Sequence, residues 1–238
     1  MLLTVDVGNS VTHYGLFDGP KMVKHLCAKT GYVQGQTTNM SRNWTYSDAV
    51  VCSVVPGAVP KLKVKPLVVN YKTDLGLKIK YKNPKRVGAD RLADAVAAKF
   101  IYGYPSLIVD FGTAVTIDAV SEKGDYLGGV IMPGIEMIRR GLYERTALLP
   151  LVPLNKPKKI LGMTTENAIQ SGMYYGLRGM VLNLLDELKK ELRFSEKTVI
   201  IATGGYAGFM MNGVKNVKID EFLTLKGLRI IYERNSGK

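Results

Sequence analysis

Two short turns of one kind stand 104 residues apart: Asp6-Val7-Gly8-Asn9-Ser10 and Asp110-Phe111-Gly112-Thr113-Ala114 each close an apolar run. An Asp at the end of a buried strand, followed by a glycine turn, sets a carboxylate at the mouth of a sheet beside backbone N–H groups. The N–H groups suit phosphate oxygens and the carboxylate suits a cation, the pairing that phosphoryl transfer requires. A single turn of this type is as readily an Asp or Asn bonding its own backbone, but its recurrence with a hydroxyl or amide beside it favours chemistry. A third carboxylate, Asp90 in Gly88-Ala89-Asp90-Arg91, fits either the cap of the helical pattern that follows or a base that orients an attacking hydroxyl. Arg91 offers a planar fork of donors to a substrate carboxylate or amide carbonyl, or a partner to Asp94 three residues on.

The elements that position these residues follow from a duplication. Residues 3–12 (LTVDVGNSVT) laid on residues 107–116 (LIVDFGTAVT) match at six of ten positions. Each copy is an apolar strand, the Asp-x-Gly turn, a second strand (11–17 and 115–120), a turn signal and a third apolar stretch, which predicts two related β-meanders. Helical spacing covers residues 90–102 and 166–192, the latter with Gly172 and Gly176 on its apolar side, where each glycine implies a close approach by a helix or a second subunit. Residues 198–202 form a buried strand that runs into Thr203-Gly204-Gly205. Strands alternating with helices in two similar halves give an α/β protein with mixed sheets, divided near Gly103 into 1–104 and 105–238, with residues 150–159 as a loop.

Composition narrows the class. Of 238 residues, 46% are hydrophobic and 22% charged, which is ordinary globular composition and argues against disorder, collagen and coiled coil. The start lacks a basic leader and no apolar run approaches the roughly 18–20 residues of a spanning helix, so a cytoplasmic protein without a membrane partner is expected. Cys27 and Cys52, expected in apolar surroundings, form no CxxC, and His13 and His25 are the only histidines. This argues against zinc, a disulfide framework and a histidine triad. Net charge is 33 − 20 = +13, and residues 61–86 alone hold nine basic residues against Asp74. Such a field suits nucleic acid or small anions, or is a solvated face.

Asp6-Val7-Gly8-Asn9-Ser10, Gly88-Ala89-Asp90-Arg91, Asp110-Phe111-Gly112-Thr113-Ala114 and Thr203-Gly204-Gly205, in this order, resemble the successive signatures of the type III pantothenate kinases. Tyr81-Lys82-Asn83-Pro84, the stretch 165–172 and the terminal Leu223-Thr224-Leu225-Lys226-Gly227-Leu228 extend the likeness over essentially the whole chain. The resemblance implies two duplicated ribonuclease-H-like domains, as in actin-like ATPases, with mixed sheets flanked by helices. It implies ATP-dependent phosphorylation of pantothenate to 4′-phosphopantothenate, the entry to coenzyme A synthesis, by a homodimer. Carried over, Asp6, Val7, Gly8, Asn9, Ser10, Val11, Thr12 and His13 form the first phosphate loop, with Asp6 holding Mg2+ through water. Thr113, Gly204 and Gly205 are further ATP contacts, and Asp110 is the ligand of a monovalent cation, K+ or NH4+. Tyr81, Gly88, Ala89, Asp90, Arg91 and Thr165 bind pantothenate, and Asp90 is the proton acceptor.

Two rivals remain at this level. A nucleic-acid-binding regulator on a kinase-like fold draws on the charge, but Tyr71 and Tyr81 are the only stacking platforms in the basic segment and no helix-turn-helix, RNP or zinc-finger pattern occurs. A kinase of another small hydroxyl acceptor keeps the chemistry and changes the pocket.

Overall fold

The computed structural model describes residues 1–30, 41 and 43–237. Among the described residues ten strands are formed: β1 (Leu2–Val7), β2 (Val11–Asp18), β3 (Lys21–Lys29), β4 (Asp48–Ser53), β5 (Leu67–Val68), β6 (Ser106–Phe111), β7 (Ala114–Val120), β8 (Tyr126–Pro133), β9 (Val199–Thr203) and β10 (Val217–Ile219). They make two five-stranded mixed sheets, in the orders β3-β2-β1-β4-β5 and β10-β9-β6-β7-β8. Reversed, the second order repeats the first, so the duplication reaches from a ten-residue stretch to an entire five-strand plan. Each Asp-x-Gly turn thereby ends the central strand of its sheet. The α/β class and the paired meanders read from the sequence are what the chain forms.

Within the first sheet β1 runs antiparallel to β2 and parallel to β4. Alternation along β1 sends Leu3, Val5 and Val7 into one core with Tyr14, Leu16, Ala49 and Val51. Asp6, on the other face, stands opposite His13 on β2 and Cys52 on β4. By contacts the chain falls into one unit of Met1–Ser106, Asp118–Gly128 and Phe222–Lys238 and another of Leu107–Ile117 and Gly129–Glu221.

The helices are α1 (Ala89–Ala97), α2 (Ile135–Glu144), α3 (Thr165–Ser171), α4 (Leu177–Leu192), α5 (Ala207–Met211) and α6 (Leu223–Asn235). Two patterns that read as single helices are interrupted. A π turn at Ala98–Tyr102 closes α1, and another at Gly172–Gly176 separates α3 from α4. A Cβ at Gly172 or Gly176 would meet nothing within 4 Å, so no described part of this chain closes on them, and they bound the π turn instead. The terminal signature has a packing cause: a Cβ on Gly227 would lie 2.0 Å from the Ala93 carbonyl oxygen, so α6 can cross α1 this closely only at glycine. Beside that crossing the Thr224 hydroxyl donates to buried Asp94 at 2.7 Å. Residues 151–157 are irregular, as expected, whereas Cys27 is exposed on β3 rather than apolar in setting; Cys52 is buried.

Candidate active site

The first loop is a tight turn. Gly8 N–H donates to the Val11 carbonyl at 3.1 Å, and a Cβ on Gly8 would sit 2.8 Å from that oxygen, so no larger residue fits. Thr30, at the far end of β3, holds the loop by donating from Oγ1 to the Gly8 carbonyl at 2.6 Å and from N–H to Ser10 at 3.1 Å. Asn9, Ser10 and Val11 are exposed, while Thr12 is buried at 3.2 Å from the Thr30 hydroxyl. His13 is half-buried, and burial together with the neighbouring His25 lowers its pKa. It therefore brings no positive charge to the loop at neutral pH.

Asp6 is the electrostatic centre of this unit. Burial first, then the charge of Asp90, lifts its pKa to about 7, against the opposing hydrogen bond from Cys52. That bond runs from Cys52 Sγ to Asp6 Oδ1 at 3.2 Å, and burial pushes the thiol itself well up, so it stays a donor. The Asp90 charge thus raises the cost of ionising Asp6, a cost that a divalent cation at these hard oxygen donors would lower, although among the described residues no cluster of three or more Asp, Glu, His or Cys forms a metal cage by itself.

Asp90 does not cap α1. Gly88 is the N-cap, and Asp90, in the first turn, folds back so that its Oδ1 accepts the Arg91 N–H at 2.7 Å. A Cβ on Gly88 would meet that same oxygen at 2.3 Å, which explains the glycine two residues ahead of the Asp. Burial raises the pKa of Asp90, with the Arg91 N–H bond lowering it and Asp118 raising it.

Arg91 does not pair with Asp94. Its Nε donates to both oxygens of Asp118 at 3.0 and 3.1 Å, and its Nη2 to Oδ1 at 2.7 Å. The open fork expected for a substrate carboxylate is thus committed to Asp118 along its Nε–Nη2 edge. Tyr81 lies outside the strands and is 38% exposed, which leaves its ring accessible.

In the other unit Asp110, at the end of β6, is half-buried and Thr113 is exposed. Gly204, at φ +87°, is the close approach: its Cβ would lie 2.3 Å from Asp110 Oδ1 and 2.7 Å from the Phe111 carbonyl. Asp110 and Gly204 are thereby in close approach, whereas a Cβ on Gly205 would meet nothing within 4 Å. Gly134 packs as tightly, a Cβ there meeting the Thr113 carbonyl oxygen at 2.2 Å. Glu136, two residues on, accepts from Tyr206 at 3.1 Å and from Arg139 at 2.7 and 2.9 Å. Thr165 is exposed on the first turn of α3, and the cap there is Thr164, whose hydroxyl accepts the Asn167 N–H at 3.2 Å. Sequence reasoning missed Thr30, Cys52, Asp118 and Gly134. Of these only Gly134 carried a local signal, in Pro133-Gly134 ahead of a helical pattern.

A mixed five-stranded plan used twice, with an Asp-x-Gly turn ending each central strand, defines the class of the actin-like ATPases and sugar kinases. Solved structures bear out that fold. A Campylobacter jejuni protein described as a proposed Baf family transcriptional activator superimposes with TM-score 0.65 at 20% identity, covering 99% of this chain and 100% of that one. The activator of the 2-hydroxyisocaproyl-CoA dehydratase from Clostridium difficile, with bound ADPNP, gives TM-score 0.54 at 11% identity over 100% of this chain and 97% of that one. The sequence profile of type III pantothenate kinase matches residues 2–187. A type III pantothenate kinase of Methylacidiphilum infernorum is 42% identical over 98% of this chain and 88% of its own. The chain belongs to the type III pantothenate kinase family.

Proposed function

We propose that this chain transfers the γ-phosphoryl group of ATP to the primary hydroxyl of pantothenate, giving 4′-phosphopantothenate at the entry to coenzyme A synthesis. Family membership supplies the reaction, and the observation that carries the site is Asp90, folded over Gly88 beside the raised Asp6 carboxylate. Attack on the γ-phosphorus passes through a loose transition state, so the acceptor's base mainly orients the hydroxyl and takes its proton late. Asp90, ionised, accepts that proton. Tyr81, Gly88, Ala89, Arg91 and Thr165 are the proposed pantothenate contacts, with Arg91 donating from Nη1. Residues 6–13 hold the phosphates through backbone N–H groups, and Thr113, Gly204 and Gly205 serve the rest of the nucleotide. Asp6 would hold Mg2+ through water and Asp110 the monovalent cation, K+ or NH4+; when bound, such cations offset charge on the phosphates.

The halves 1–104 and 105–238 each contribute one phosphate loop. We further propose a homodimer, supported by the exposed Met137, Leu148, Ile160, Leu161 and Met163, all at least half-exposed on one unit, and by the open space over Gly172 and Gly176. A cytoplasmic location suits these substrates, and no helix among the described residues is long and apolar enough to cross a membrane.

The test is ADP release with ATP, Mg2+ and pantothenate, in potassium or in sodium, beside Asp90→Asn. Turnover that needs pantothenate and potassium and drops at least about a hundredfold in the variant is expected, the scale of a lost general base. Folded protein with no pantothenate-dependent turnover in either salt overturns the reading.

A further inference from the structure

We infer that the facing ends of β7 and β8 are a platform that positions the two acceptor-site side chains: Asp118 and Tyr126 hold Arg91, and Gly128 seats Tyr81. The inference rests on the reading of Arg91 and Tyr81 as pantothenate contacts and adds the residues through which they are set in place.

The grip on Arg91 is in-plane and dry. The Arg91 side chain is 10% exposed and that of Asp118 2%, and three donor contacts of 2.7–3.1 Å join them. A guanidinium held along its Nε–Nη2 edge by a buried carboxylate has lost the rotations of a surface arginine, so its Nη1 edge points in a fixed direction. The carboxylate is fixed in turn. Tyr126 Oη donates to Asp118 Oδ1 at 2.7 Å, and burial together with the charge of Asp118 raises its pKa, so the phenol remains a donor through the working pH range.

Tyr81 is set by a different device on the same strand. Lys80 N–H donates to the Tyr126 carbonyl at 2.8 Å and Tyr126 N–H to the Lys78 carbonyl at 2.9 Å, which fixes residues 78–80 in register with the start of β8. Two residues further along β8, Gly128 takes φ +102°, and a Cβ there would lie 2.8 and 2.9 Å from Cδ2 and Cε2 of the Tyr81 ring. The ring rests where a side chain would stand, in a conformation that glycine adopts at least cost. Asp118, Tyr126 and Gly128 are thus positioning residues: each acts through Arg91 or Tyr81.

Steady-state kinetics of the full chain, with pantothenate and ATP varied separately, test this. Tyr126→Phe is expected to raise the KM for pantothenate about five- to tenfold, the scale of one lost hydrogen bond to a charged group, with kcat and the KM for ATP within about twofold. Gly128→Ala is expected to raise it by a similar factor, and by much less in a Tyr81→Ala background, where the ring contact is gone and only the backbone cost at φ +102° remains. Asp118→Asn, which strips a buried arginine of its counter-charge, is expected to show the largest rise; should it fail to fold, the other two variants carry the test. Folded Tyr126→Phe and Gly128→Ala with unchanged KM for pantothenate overturn the inference. So does a Gly128→Ala effect that is undiminished in Tyr81→Ala. Wild-type protein that turns over no pantothenate overturns the acceptor reading itself, and the inference with it.

Discussion

Asp6 shows how a residue can be costly to the fold and useful to the site. Its carboxyl has a pKa near 7 where the unfolded chain has 3.8. Because the folded value is the higher one, the folded state binds more protons across that interval, and the stability contributed by Asp6 is complete below about pH 4 and lost as pH rises toward 7. Asn at this position keeps the shape and removes the titration. In protein free of nucleotide and divalent cation, Asp6→Asn is therefore expected to melt progressively above wild type as pH rises from about 4 to about 7, the gap levelling off beyond. Thermal unfolding followed by circular dichroism at several pH values reads it, and a gap that stays constant with pH removes Asp6 as the cause. At this scale the sequence disclosed the carboxylates but not their settings. Asp6, Asp90 and Asp110 stand out by type and motif, whereas the partner of Arg91 is 27 residues away on β7, and the thiol beside Asp6 comes from β4 through strand register. Local spacing offers Asp94 to Arg91 instead, and Asp94 is taken by Thr224 from the far end of the chain.

Elements were legible where periodicity is strong. The ten-residue repeat announced the central hairpin of both sheets, since alternation along a strand and a glycine turn are local properties. The shared five-strand order was hidden because β4, β5, β9 and β10 lie outside the ten-residue repeat, and their places depend on which edge a distant strand meets. The π turns escaped for a similar reason: one inserted residue barely disturbs an apolar stripe of helical period. The α1–α6 crossing supplies a prediction at this scale. A Cβ at Gly227 would overlap the backbone oxygen of Ala93 at 2.0 Å, an obstacle that no side-chain rotation clears. Gly227→Ala must push the two helices apart, although alanine is the better helix former, and is expected to cost about 2–3 kcal/mol, as overpacked cores do. Chemical denaturation gives the value directly, and a variant as stable as wild type would mean that the two helices slide without penalty.

At the scale of the whole molecule the charge of +13 asks for a partner, and the acceptor site lies beside much of it. Lys78, Lys80 and Lys82 alternate along the segment that holds Tyr81, and Lys85 and Arg86 precede Gly88; all five are exposed. Exposed lysines with no rigid geometry contribute little to the affinity of a bound anion, but their summed field raises the rate at which anions arrive. ATP and pantothenate are both anions, so the expected signature is kinetic: kcat/KM for each should fall as salt rises past about 0.1 M, where the screening length shrinks to roughly 10 Å, while kcat stays level. Potassium has to be held constant while ionic strength is raised with a bulky organic cation, because a monovalent ion is itself proposed to bind at Asp110. Lys78→Gln, Lys80→Gln and Lys82→Gln combined should flatten the salt dependence for pantothenate more than they change its limit at high salt, since screening and charge removal abolish the same attraction. Equal slopes in wild type and triple variant would leave these lysines as a solvated face. A slope present for nucleic acid but absent for both substrates would assign the charge to a different partner altogether.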